Sequence, residues 1–160
     1  MKRLPIAIIA VVALTALPAL GAGSVEVSFK PGNGWADAGH PGVLSDRNQA
    51  RIGQVLKSQA ARLPDGQSLA ITITDIDLAG TLRTVRGGQE MRIVNGRVDA
   101  PRIALHYVLR AGNKVLREAD ETVTDLNYFG SLEPRYAREP LPYETQMLER
   151  WFAQRFANPQ

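Results

Sequence analysis

The sequence predicts an α+β fold: a single two-layer domain, with a mixed sheet of four to five strands and two main helices packed against it. Three observations lead there. Several short runs alternate apolar with polar residues, the signature of a half-buried strand. Two other stretches carry apolar residues at three-to-four-residue spacing, the stripe of a helix packed on one side. Removing an export segment over residues 1–21 from the 160 residues leaves 139, a natural size for one domain with one core.

The export segment is read from three adjoining parts. Lys2 and Arg3 precede an apolar run from Leu4 to Leu14, and Leu17-Pro18-Ala19-Leu20-Gly21-Ala22 supplies the small residues of a cleavage site. That is the layout of a secretory signal peptide, with the cut expected before Ala22. The run is shorter than the ~20 residues a bilayer-spanning helix needs. No cysteine follows it, so a released chain is expected rather than a lipid-anchored one, with no stable membrane insertion after cleavage. Lys2 and Arg3 leave with the segment, which brings the 19 Lys+Arg down to 17 against 16 Asp+Glu. Nucleic-acid binding, which needs unbalanced positive charge, loses its support. With no cysteine in an oxidising compartment, packing has to supply the stability, and thiolate metal sites and cysteine nucleophiles are excluded.

Each element then follows in order. Val25, Val27 and Phe29 alternate as a first strand. Residues 31–42, rich in glycine and proline, read as a loop. Ser45 is placed as the N-cap of a helix of about four turns, whose stripe is Ile52, Val55, Leu56, Ala60 and Leu63. Leu63-Pro64-Asp65-Gly66 ends it. Leu69, Ile71 and Ile73 share one face of a strong strand, but Ile76 and Leu78 have the opposite parity. A β-bulge near Thr74-Asp75 is expected to reset the phase. A helix between the first two strands makes them parallel.

Residues 80–90 read as a mobile loop, 91–94 as a short strand and Asn95-Gly96 as a hairpin turn. Ile103, Leu105, Tyr107 and Leu109 form a strand, and residues 115–124 return antiparallel as a charged edge strand. Residues 127–142 read as an ordered, aromatic loop. The last helix starts near Tyr143, with Met147, Leu148, Trp151, Phe152 and Arg155 inward and Phe156 extending the stripe.

The chain resembles a family of exported bacterial proteins catalogued as domain of unknown function 3016. The resemblance rests on Val25-Glu26-Val27-Ser28-Phe29, on Ala70 to Gly80, on Pro101-Arg102-Ile103, on Asp125-Leu126-Asn127-Tyr128, and on Tyr143-Glu144 leading to Met147-Leu148-Glu149-Arg150-Trp151-Phe152. It implies export and this architecture, and no activity.

Candidate functional residues are few. Asp75 and Asp77 share a strand face with Cα atoms roughly 6–7 Å apart, a spacing that suits an acid/base pair or a hard cation. Their plainer role is to cap a bulge or to pair with Arg83 or Arg102. His40 lies in a loop near Asp37, while His106 is expected to be a partly exposed sheet residue. Trp35, Tyr128, Phe129, Tyr136 and Tyr143 either frame a groove or pack loops onto the sheet. Asp125 and the Asn127 side chain, expected to hold the turn after it, complete the candidate surface of Asp75, Asp77, Asp125, Asn127, Tyr128, Trp35 and His40. P-loop, Gly-x-Ser-x-Gly and His-Glu-x-x-His motifs are absent, so no catalytic residue, cofactor or metal is assigned. The expected role is a non-catalytic envelope binding or accessory module for a protein or small ligand, acting through loops 31–42, 80–90 and 127–142. The alternative is a periplasmic enzyme using Asp75 and Asp77.

Overall fold

A computed structural model describes residues 21–31 and 34–157, with Arg97 described by its backbone alone. The expected signal segment, apart from Gly21, lies outside the described residues. In chain order the elements are β1 (Ser24–Phe29), α1 (Val43–Ser58), β2 (Gln67–Asp77), β3 (Thr81–Thr84), β4 (Glu90–Ile93), β5 (Arg102–Ala111), β6 (Lys114–Thr124) and α2 (Pro142–Phe152). The main sheet has the order β1-β2-β5-β6, and β3 and β4 form a separate two-stranded ribbon. β1 runs parallel to β2, whereas β2–β5 and β5–β6 are antiparallel. The sheet is therefore mixed and four-stranded, as the pattern predicts.

The phase change in β2 is resolved by a bulge. Ile73 pairs with Leu105 and Asp75 with Ala104, which leaves Thr74 without a partner. The extra residue turns both apolar sets to one side: Leu69, Ile71 and Ile73 before it, Ile76 and Leu78 after it, are all buried. They meet Ile103, Leu105 and Tyr107 of β5, Ile52, Val55 and Leu56 of α1, and Leu148 and Phe152 of α2. Near β6, Tyr107, Trp151 and Phe156 pack edge to face with centroids 5.2–6.0 Å apart. Such pairs add about 0.5–1.5 kcal/mol each beyond simple burial. The opposite face of the sheet, with Thr72, His106, Glu118 and Asp120, carries no helix among the described residues.

Several local expectations are corrected. Ser45 is not the N-cap: α1 begins three residues earlier, after Gly42, whose φ of 96° suits glycine. Ser45 is buried in the first turn instead, and its Oγ accepts from the Gln49 side chain. Residues 80–90 are not simply a loop, because β3 and β4 pair from Thr81↔Ile93 to Thr84↔Glu90. Both faces of that ribbon are largely exposed, so no apolar alternation marked it. Its turn lies at Val85–Gln89, with Gly87 and Gly88 at positive φ. Asn95-Gly96 leads into a short 3-10 turn, Arg97–Asp99, rather than a hairpin. Arg155 does not face inward; it lies half exposed against Glu121. No described helix is long and apolar enough to cross a membrane.

Candidate functional site

A cluster of charged side chains sits where β2 ends. The bulge places Asp75 and Asp77 on the helix-free face, Asp75 opposite Ala104 and Asp77 opposite Arg102. The chain returning from β1 passes alongside: the Asp37 N–H donates to the Ile76 carbonyl (2.8 Å), and the Leu78 N–H to that of Asp37 (2.9 Å). This short parallel bridge brings Asp37 beside Asp77. Arg92 of β4 then reaches across. Its Nη1 and Nη2 donate to the two Asp37 oxygens (2.9 and 3.0 Å), a bidentate grip. Nη1 also donates to the Gly80 carbonyl at 3.0 Å. Gly80 has φ +81°, and a Cβ there would stand 2.6 Å from the Ile93 carbonyl oxygen. Only glycine lets β4 approach closely enough for Arg92 to reach Asp37.

The electrostatics follow this geometry. Burial raises the Asp37 carboxyl, but hydrogen bonds from Arg92 and the Gly39 N–H, with the Arg92 charge, bring it below its ordinary value. Asp77 moves the other way: burial raises it, and the neighbouring Asp37 and Asp75 charges add to that against Arg102 and Arg92. Asp75 is occupied structurally, its Oδ1 accepting from the Ala36 N–H at 2.9 Å. No ion pair joins Asp75 or Asp77 to Arg83, and Arg102 acts on Asp77 through charge alone.

On the opposite, covered side lies Glu144, which its position near a helix start did not mark as exceptional. It is 3% exposed, and its Oε1 accepts from the Ala79 N–H at 2.7 Å. Burial pushes its carboxyl above the ordinary range, opposed by that bond and by the Arg92 charge. Arg92 and Glu144 thus secure the Leu78-Ala79-Gly80 segment from two sides. The clearest sequence signal for both is the family-like Asp-Leu-Ala-Gly end of β2, which reveals a special backbone but not its partners.

The other candidates separate. His40 is more than half exposed and pairs with Glu90 of β4. Trp35 packs edge-on against Phe29 with centroids 6.4 Å apart. Tyr128 is buried, meets Tyr143 edge to face at 4.8 Å and donates to Asp99; burial and that carboxylate push its hydroxyl well above the usual range. The turn after Asn127 is closed not by its side chain but by its carbonyl, which accepts from the Gly130 and Ser131 N–H groups at 3.1 Å, while Asp125 Oδ1 accepts from the Asn127 N–H at 2.9 Å. Tyr136 is packing, its hydroxyl donating to Glu149. Asp75, Asp77 and His40 therefore lie around the Arg92 cluster, whereas Tyr128 belongs to a separate small core. No group of three acidic, histidine or cysteine side chains among the described residues is arranged to hold a metal ion.

Beside this cluster, residues 35–39 with Pro41, Gly42, Ser45 and Asp46 line an open cavity of about 240 Å³. Asp37 is its only lining carboxylate tied to Arg92. A family model described as "Protein of unknown function (DUF3016)" matches residues 23–154. No curated protein and no solved structure matches the chain.

Proposed function

From the premise that this chain belongs to the DUF3016 family, we propose an exported, non-catalytic binding or accessory module of the bacterial envelope. It takes a protein or small ligand at the cavity framed by residues 35–46. One observation carries the reading: the loop that lines this cavity is preformed, held by side chains of other segments. Asp37 is gripped by Arg92, Asp75 accepts from Ala36, and the Ala38 carbonyl accepts from Asn48 Nδ2 at 2.9 Å. A loop tied at this many points loses little entropy when a ligand arrives. The runner-up, an enzyme using Asp75 and Asp77, has the raised Asp77 carboxyl behind it. Neither aspartate lines this cavity, however, which favours the binding reading.

A photo-crosslinking residue at Trp35, and another at Thr72 on the helix-free face, would test this in intact cells. A recurrent adduct from position 35 alone, in the exported fraction, is the expected result. Adducts from neither position, or equally from both, would overturn it. N-terminal sequencing of the exported protein should begin at Ala22.

A further inference from the structure

β6 is an edge strand: β5 pairs with one side of it and no described strand with the other. Alternate residues of such a strand direct their N–H and C=O groups outward. The hairpin end is guarded, since the pairing slips between Leu109 and Arg110 and Leu116 is left without a partner. From Arg117 to Thr124 the register is unbroken. Beside its second half, from Glu121 to Thr124, runs an open groove of about 340 Å³ between β6 and α2. Inner-face Val123 and outer-face Thr122 and Thr124 all line it, so the groove follows the free edge itself. Trp151 closes its floor. Its charges are matched internally: Arg150 lies 3.5 Å from Asp125, and Arg155 lies 3.1 Å from Glu121. The outer face differs. Glu118 and Asp120 stand there two residues apart, their side chains 54% and 86% exposed, and the two carboxylates share a single partner, His106, at 3.4 and 3.0 Å.

We propose that β6 from Arg117 to Thr124 receives an extended segment of a partner protein as a fifth strand, basic where it faces Glu118 and Asp120 and uncharged where it enters the groove over Trp151. Main-chain hydrogen bonds supply the affinity in this mode, and alternate side chains supply the selectivity. A second copy of this chain is a poor occupant. Antiparallel self-pairing about Ala119 sets Glu118 opposite Asp120 twice, which places four carboxylates in one patch. The groove side needs no charge from its occupant because its own charges are paired. This surface is separate from the cavity at residues 35–46, so either reading can fail without the other.

The test uses the full chain, expressed with its own leader and purified, and a fluorescein-labelled eight-residue peptide alternating lysine and valine. Saturable binding is expected below about 1 mM, with amide shifts in NMR spectra concentrated at residues 117–124. Methylating the peptide's alternate backbone nitrogens, on the edge that would pair, should weaken binding roughly tenfold or more, because the ladder is lost. The exposed double variant Glu118→Lys/Asp120→Lys should weaken it similarly while leaving the melting temperature unchanged. Equal binding of the methylated peptide, shifts centred elsewhere, or no binding would overturn the proposal. So would sedimentation showing a dimer whose β6 amides are protected from exchange.

Discussion

Two polar clusters, one at the end of the sheet and one at its free edge, solve the same problem with opposite chemistry. Around Arg92 a single guanidinium serves Asp37 and the Gly80 carbonyl, with Asp77 and the buried Glu144 close by. Around Glu121 a single carboxylate serves several donors. Trp151 Nε1 gives 2.8 Å, Arg155 Nε 3.1 Å and the Tyr107 hydroxyl 3.2 Å. The first cluster ties three non-adjacent segments across the chain's least regular region. The second attaches α2 and the turn after it to a strand already fixed by β5. Acid excess at one place and donor excess at the other mean that equivalent deletions should not cost the same.

The largest effect should come from Arg92→Ala, which leaves Asp37 and Asp77 facing each other with only the Arg102 charge and the Gly39 N–H to offset them. A loss of about 3 kcal/mol is expected, since removing one partner strands a partly buried charge. Urea denaturation measures it, and a loss below that of Glu121→Ala would break the comparison. Glu121→Ala should cost about 2 kcal/mol, because two buried donors lose their acceptor. Glu121→Gln should recover part of that, which separates hydrogen bonding from charge.

Glu144→Gln is expected to act in the other direction. Glu144 is raised in the folded state, so its contribution is fully present below the ordinary glutamate range and is lost as pH rises through its raised value. Asp37 and Glu121 are lowered, so theirs is present above that range and lost as pH falls through their depressed values. Glutamine keeps an acceptor for the Ala79 N–H without a charge to bury. Melting temperatures followed upward from pH 5 should therefore decline less in Glu144→Gln than in the parent, with a gain of up to about 1 kcal/mol at pH 7. An unchanged pH profile would count against a buried ionisable role for Glu144. The smallest effect belongs to His40→Ala, whose pair with Glu90 is exposed and should matter by less than about 0.5 kcal/mol.

Much of the fold was legible because one-sided burial imposes a period on the residues. The parity change between Ile73 and Ile76 located the bulge, and the stripes at Ile52–Leu63 and Met147–Phe156 located both helices. The β3–β4 ribbon escaped because neither of its faces is buried enough to leave a pattern. The site was legible only in outline. Asp75 and Asp77 were marked by their spacing, but their partners are Ala36 and Asp37, some forty residues away. Glu121 looked like one more charge on an edge strand until α2 placed Trp151 and Arg155 over it.

By itself the sequence determined the period of each element, the phase reset in β2 and the absence of cysteine chemistry, all of which are properties of neighbouring residues. Only the tertiary structure decided which charges meet. Arg92 lies 55 residues from Asp37, and Glu144 lies 65 from Ala79. A carboxylate's role depends on its distance from donors and on its burial, and both are set by long-range packing rather than by local spacing.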